Sequence, residues 1–183
     1  MGRISFYIDS SFYFLLAFLL LFLPLPWIFA LIIAVLVHEC FHAAAIAAFH
    51  GRIHSLCLCS GGVRMKTDAL PPWQEMVCAL SGPVGSSILM LLAPWMPRTA
   101  ICGGVHCFYN LIPLFPMDGG RVLYSAISLL IPGVKGEKVF QCSQKLLRLL
   151  VALICLWGCI KWGSFMLPVF AVFLWRNRRM RTV

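Results

Sequence analysis

The sequence has few charged residues. Aspartate, glutamate, lysine and arginine make up 11% of its 183 residues, whereas soluble domains carry about 25%. Apolar residues make up 61%, and the mean hydropathy is +0.91. Such a composition excludes an ordinary soluble domain and predicts a polytopic membrane protein with short loops. The net charge is +9. Because the basic residues cluster at the ends of apolar segments, orientation in a membrane explains this charge better than nucleic-acid binding.

The sequence also lacks a recognisable cysteine framework. Its nine cysteines are an odd number, and most lie in apolar stretches. No pair of CxxC motifs is present, so packing roles are favoured over disulfides. Cys57 and Cys59 would share one face of a strand, but packing is again favoured over a soft-metal site.

One apolar segment carries an H-E-x-x-H pattern at His38, Glu39 and His42. Positions i and i+4 of a helix lie on one face, so the two histidines can bind one metal ion. Glu39 lies at the edge of that face, where a carboxylate can act as the general base for water. Cys40 lies about 200° round the helix from His38 and is expected to face away. The pattern indicates a zinc hydrolase, and a chance match is the alternative.

The predicted fold is an all-α polytopic membrane protein with about six transmembrane helices. A single membrane-embedded domain over residues 1–183 is expected, with its core at about 27–131 and C-terminal helices within 145–176. After a polar start over residues 1–10, the predicted spans cover about 11–28, 27–49, 73–95, 98–131, 145–160 and 162–175. A basic loop is predicted for residues 132–144.

A β-hairpin is predicted after the second span. Residues 53–59 and 63–67 read as its strands, because Val63, Met65 and Thr67 alternate with basic residues. Gly61 and Gly62 would supply the turn.

Asp118 is the second acidic residue that lies between well-developed apolar segments. The stretch before it contains Pro113 and Pro116, and Gly119 and Gly120 follow it. Such a sequence interrupts a helix, and irregular backbone at membrane depth requires surrounding protein or a wet cavity. An ionisable side chain there costs about 2.5–3.5 kcal/mol by insertion scales. A third zinc ligand would account for Asp118, and a helix-capping role is the alternative.

The basic residues predict the topology. Six spans place both termini on one side, and the basic tail after Trp175 makes that side cytoplasmic. The loops after the second and fourth predicted spans are also basic and fall on the same side. The C-terminal halves of these two spans then lie at similar depth, which would bring Asp118 towards His38 and His42.

Three motifs together resemble the site-2 protease family of intramembrane zinc metalloproteases. They are H-E-x-x-H at residues 38–42, Ser-Gly-Pro at 81–83, and N-L-I-P-L-F-P-M-D-G-G-R at 110–121, in the family's order. The compact length, the six predicted spans and the hairpin are most similar to the stage IV sporulation protein FB branch. Ser86 and Ser87 stand where many relatives carry an asparagine, and Met117 replaces a leucine.

The resemblance implies one Zn²⁺ held by His38, His42 and Asp118, with Glu39 as the general base. Asn110 would contact the substrate or stabilise the oxyanion, and the hairpin at Gly61 and Gly62 would offer an edge to an extended substrate. The implied partners are a membrane-bound or membrane-tethered protein substrate, such as a pro-sigma factor, and regulatory membrane proteins. The implied location is a bacterial cytoplasmic membrane. No cystathionine-β-synthase-type or PDZ domain is recognised.

Two non-catalytic functions are the alternatives. A metal transporter would distribute polar residues over several spans, whereas the polar residues here are confined to one cluster. A pseudo-protease acting as a chaperone usually lacks the glutamate, and Glu39 is present. A CAAX-type membrane protease would need paired glutamates on one span, which the sequence lacks.

Overall fold

The computed structural model describes residues 5–59 and 62–162, which form mostly helices and one small sheet. The chain divides into two compact units, one ending at Asn110 and one beginning at Leu111. In the first unit the elements are β1 (Ser5–Ile8), α1 (Ser10–Phe22), α2 (Leu25–Ala48), β2 (Ile53–Cys59), β3 (Gly62–Thr67), α3 (Pro72–Ile88), a 3₁₀ turn (Leu89–Leu92) and α4 (Pro97–Asn110). In the second unit they are α5 (Asp118–Leu130) and α6 (Val134–Trp162).

Three helical segments of the described residues are long and apolar enough to cross a membrane. They are Leu25–Ala48, Pro72–Leu92 and Val134–Lys161, and the chain is a membrane protein. Six spans remain a prediction, and residues 163–175 of the predicted sixth lie outside the described residues. The predicted first span of residues 11–28 is wrong in its extent. Trp27 and Ile28 belong to α2 because a helix tolerates proline in its first turn, so α2 begins directly after Pro24.

The helices α2, α3 and α4 pack against one another in the first unit. The buried face of α2 repeats every four residues, at Ala30, Ala34, His38, His42 and Ile46. Small side chains dominate the buried faces of the two partner helices, which are Cys78, Ala79, Gly82, Pro83, Gly85 and Ser86 on α3 and Thr99, Ala100, Gly103, Gly104 and Cys107 on α4. Small residues let helix backbones approach closely, which favours packing in a membrane, where no hydrophobic driving force brings helices together. The two histidines therefore lie on the face of α2 that packs most tightly.

The predicted hairpin is confirmed, and it is part of a larger sheet. β2 pairs antiparallel with β3, and β1 pairs with β2 in parallel. The polar start predicted for residues 1–10 therefore contains a strand that the sequence reading missed. Gly62, predicted as a turn residue, already pairs with Cys59 as the first residue of β3 and has a φ of 105°. Gly61 lies outside the described residues.

In the second unit, an irregular segment over residues 111–117 precedes α5, as the prolines predict. The predicted resumption of the helix at residue 120 is wrong by two residues, because Asp118 is the first residue of α5. Gly119 and Gly120 form its first turn, and the irregular segment folds back against them. A Cβ on Gly119 would lie 2.6 Å from the Ile112 carbonyl oxygen, and one on Gly120 would lie 2.6 Å from the Leu114 carbonyl carbon. The glycines thus allow this close approach rather than interrupt the helix.

The predicted loop over residues 132–144 is also wrong, because α6 already begins at Val134. Gln144 on this helix is buried and holds the irregular segment in place. Its amide oxygen accepts a hydrogen bond from the Phe115 N–H at 2.8 Å, and its amide nitrogen donates to the Pro113 carbonyl at 2.9 Å. Two backbone groups without a helical partner are thereby satisfied within the second unit.

Replacing Gln144 by leucine should lower the free energy of unfolding by about 1–3 kcal/mol for each backbone group left without a partner. Equilibrium unfolding in mixed detergent micelles measures this loss. Gln141→Leu is the matched control on the same helix, because the exposed Gln141 amide donates to Glu137 of its own helix, at 3.3 Å. Equal losses for the two variants would contradict the assigned role of Gln144.

Candidate metal centre

The imidazoles of His38 and His42 form a buried pair on α2. Their side chains are 2% and 5% exposed, and their Nε2 atoms lie 3.0 Å apart. Two nitrogens bound to one tetrahedral zinc at about 2.0–2.1 Å would lie about 3.3 Å apart. The observed spacing is close to that value, so the pair fits a zinc ion bound through both Nε2 atoms.

The other nitrogen of each ring has a partner on α3. Nδ1 of His42 lies 2.7 Å from the Cys78 carbonyl oxygen, and Nδ1 of His38 lies 2.9 Å from the Ser86 hydroxyl. A carbonyl oxygen only accepts hydrogen bonds, so Nδ1 of His42 carries the proton and its Nε2 is the nitrogen with a lone pair. Metal-binding histidines almost always have such an outer partner, which sets the tautomer and the ring orientation.

Gly82 is the reason that both rings fit between α2 and α3. A Cβ atom on Gly82 would overlap Nε2 of His42 and would lie 2.7 Å from Cε1 of His38. The same helix approaches α2 closely at Gly85, where a Cβ would lie 2.6 Å from Cδ2 of Phe41. Gly82 and Gly85 together therefore let α3 approach α2 closely.

Glu39 follows His38 on α2 and is partly buried, whereas Cys40 is exposed. The helix thus presents the carboxylate near the buried face and turns Cys40 away from it, as the 100° step per residue predicts.

Asp118 is buried as the first residue of α5, with 6% of its surface exposed. The positive end of the helix dipole stabilises a carboxylate at this position. One of its oxygens lies 3.4 Å from Nη1 of Arg121, one turn along the same helix. The proline- and glycine-rich sequence around Asp118 therefore gives a buried carboxylate a favourable electrostatic environment.

Ser86 and His106 both contact His38, and sequence reasoning gave neither of them a role at the metal. The ring of His106 packs edge-on against His38, with centroids 4.5 Å apart. Its position one turn before Asn110 was the available signal, since residues four apart on α4 share a face. Asn110 itself is partly buried, and its amide donates to the His106 carbonyl at 3.0 Å.

The hairpin presents an edge strand next to a polar base. Among the described residues, β3 pairs only with β2. At the base, the exposed imidazole of His54 lies 2.6 Å from an Asp68 oxygen. This hydrogen bond, together with one from the Arg52 N–H, holds the pKa of Asp68 below its usual value.

Cys57 and Cys59 are both buried, as expected for one face of β2. Cys59 accepts a hydrogen bond from Nε of Arg64 at 3.2 Å.

Comparisons with known proteins find distant relatives of this chain. The chain is 27% identical over 154 residues to stage IV sporulation protein FB of Bacillus subtilis, covering 76% of the chain and 50% of that protein. It is 28% identical over 138 residues to a zinc metalloprotease of Methanocaldococcus jannaschii, covering 67% and 40%. The chain thus spans half or less of these relatives. No protein-family model matches it.

The fold also matches a solved structure, the site-2 protease from Methanocaldococcus jannaschii. The TM-score is 0.72 at 20% identity, and the match covers 100% of this chain and 96% of the other. The match therefore extends over the helices and the sheet alike.

Replacing Gly82 by alanine should abolish zinc binding, because the added methyl group would occupy the space of the imidazole pair. Zinc content after purification and competition with a chelator measure this effect. Gly104→Ala is the matched control, since a Cβ there would lie 3.6 Å from the nearest Met90 atom, an ordinary contact. A Gly82→Ala protein that binds zinc as tightly as the unmodified chain would contradict the site.

Proposed function

We propose that this chain, which belongs to the site-2 protease family, is an intramembrane zinc metalloendopeptidase acting on a membrane-associated protein. The arrangement of His38 and His42 carries the proposal. Both Nε2 atoms converge in a buried site, and both Nδ1 atoms have partners. Two buried imidazoles with a carboxylate next to them in sequence are the donor set of a zinc hydrolase.

Asp118 is proposed as the third protein ligand. Like His38 and His42, it is buried and offers one ligand atom of a kind that zinc binds. Two nitrogens and one carboxylate oxygen are a usual set for catalytic zinc, which keeps its fourth position open. Zinc held there would act as a Lewis acid towards the scissile carbonyl and make water more acidic. A ligand role also accounts for a carboxylate buried in a membrane protein.

Glu39 would be the general base. Its carboxylate takes a proton from the attacking water and later delivers that proton to the leaving amine. The partly buried position of Glu39, directly after His38, supports this role. Asn110 would stabilise the oxyanion through its amide, whose second N–H is available in addition to the one donated to His106.

The substrate would be an extended segment of a membrane-bound protein. The edge of β3 that begins at Gly62 would add main-chain hydrogen bonds to it, with Gly61 in the adjoining turn. A membrane-tethered pro-sigma factor is the first candidate, as the resemblance to the sporulation branch implies. Regulatory membrane proteins are further proposed partners.

We place both termini on the cytoplasmic side of a bacterial membrane, with six spans. The length of α6 fits this topology. Its 29 residues extend about 43 Å, whereas the hydrocarbon core is about 30 Å thick. The surplus of about 13 Å, roughly the first nine residues, would project into the cytoplasm with Lys135 and Lys138, where basic residues are favoured, and Lys145 would lie near the cytoplasmic interface.

Replacing Glu39 by glutamine should reduce cleavage by at least about 10²–10⁴-fold, because the amide cannot accept the proton. Zinc should stay bound, since the proposed ligands are unchanged. Co-expression with a tethered pro-sigma factor or a single-span protein, followed by immunoblotting, measures cleavage. Cys40→Ser, an exposed neighbour on the same helix, is the control and should stay active. Cleavage by the Glu39→Gln chain would refute the proposed base.

Replacing Asp118 by asparagine should weaken zinc binding by more than the roughly 10–100-fold that loss of an outer partner costs. Chelator competition on the purified chain measures the affinity. Asp68→Asn removes an exposed carboxylate at the base of the hairpin and should leave the affinity unchanged. Unchanged zinc stoichiometry and affinity in Asp118→Asn would remove Asp118 from the ligand set.

A further inference from the structure

The two imidazoles are held in different ways. His42 contacts the main-chain carbonyl of Cys78, and every residue type at position 78 would provide that oxygen. His38 contacts the side-chain hydroxyl of Ser86, 2.9 Å from its Nδ1. The Ser81 hydroxyl also lies 3.4 Å from Nδ1 of His42, but it donates to the same Cys78 carbonyl at 2.7 Å. The short contact that orients His38 is therefore with a side chain, whereas the short contact that orients His42 is with the main chain.

Ser86 is itself held rigidly. Its side chain is fully buried, one turn after Gly82 on α3. The helix α4 packs directly against its backbone, because a Cβ on Gly103 would lie 2.8 Å from the Ser86 carbonyl oxygen. A hydroxyl fixed in this way can accept a hydrogen bond from Nδ1 of His38 without a cost in side-chain ordering at the time of metal binding.

The ring of His38 is also restrained from the side of α4. His106 packs against it at an interplanar angle of 81°. Rotation of the His38 ring about its Cβ–Cγ bond would break the Ser86 hydrogen bond and disturb this edge-on packing. The two contacts thus restrain the same ring from two different helices.

We propose that Ser86 is a positioning residue for the zinc ligand His38. By accepting the Nδ1 hydrogen, it keeps the proton away from Nε2 and aims that atom at the ion. The inference rests on the proposed function, since it assigns a role around the same zinc site. It extends that function by naming the residue of this chain that sets how tightly His38 binds zinc.

Zinc affinity of the full-length chain in detergent tests the proposal, by competition with a chromogenic chelator. Ser86→Ala should weaken binding by about 10–100-fold, as expected for loss of an outer partner. Ser86→Thr, which retains the hydroxyl, should restore most of the affinity. Ser87→Ala is the matched control, because the Ser87 hydroxyl donates to the Val84 carbonyl of its own helix and not to a histidine.

Thermal unfolding of the zinc-free chains separates positioning from folding. Without zinc, Ser86→Ala should still unfold in one cooperative transition, at a lower temperature than Ser87→Ala because Nδ1 of His38 loses a buried partner. The rise in unfolding temperature on adding zinc should be smaller for Ser86→Ala than for Ser87→Ala. Nitrogen-15 spectra of the zinc-loaded, unmodified chain give an independent check and should show His38 protonated at Nδ1.

Equal zinc affinities for Ser86→Ala and Ser87→Ala would overturn this inference and leave the proposed function intact. Binding of zinc through Nδ1 of His38 would have the same two consequences. Failure of the unmodified chain to bind zinc would overturn both. Weaker binding in Ser86→Ala with rescue by Ser86→Thr supports the inference.

Discussion

The close approach of α2 and α3 at Gly82 is the contact on which the rest of the centre depends. Because Gly82 has no side chain, the rings of His38 and His42 lie directly against the α3 backbone. The same approach brings the Cys78 carbonyl and the Ser86 hydroxyl within hydrogen-bond distance of the two rings. The packing of the rings and their polar contacts therefore depend on the same close approach of the two helices.

In the second unit, glycines likewise allow a close approach of the backbone, here around Asp118. Gly119 and Gly120 let the segment that precedes Asp118 fold back onto the first turn of α5, and Gln144 satisfies two of its backbone groups. A buried carboxylate needs a rigid and polar setting because desolvation of a charge is costly. In each unit, glycines next to a proposed ligand allow the backbone to come close enough to provide that setting.

Sequence reasoning was most accurate where a local pattern decides the structure. The C-terminal end of α2, the two hairpin strands and the irregular segment after residue 110 follow from apolar length, alternation and proline. It was wrong at the start of α2, and in residues 132–144 it predicted a loop where α6 begins. Basic residues suggest a loop, yet lysine and glutamine are good helix formers. The strand β1 was missed because four residues carry little pattern, and its partner β2 lies about fifty residues away.

The sequence by itself determined that His38 and His42 share one helix face with Glu39 beside it, because the helical repeat leaves no alternative once the segment is a helix. It also limited the chemistry that the site can support, since residue type decides which atoms are available to bind a metal. Only the tertiary structure decided which residues support the rings. Cys78 and Ser86 lie 36 and 48 residues beyond the histidines that they contact. No local periodicity encodes such pairs, because they depend on where the small residues of α3 and α4 allow the helices to meet.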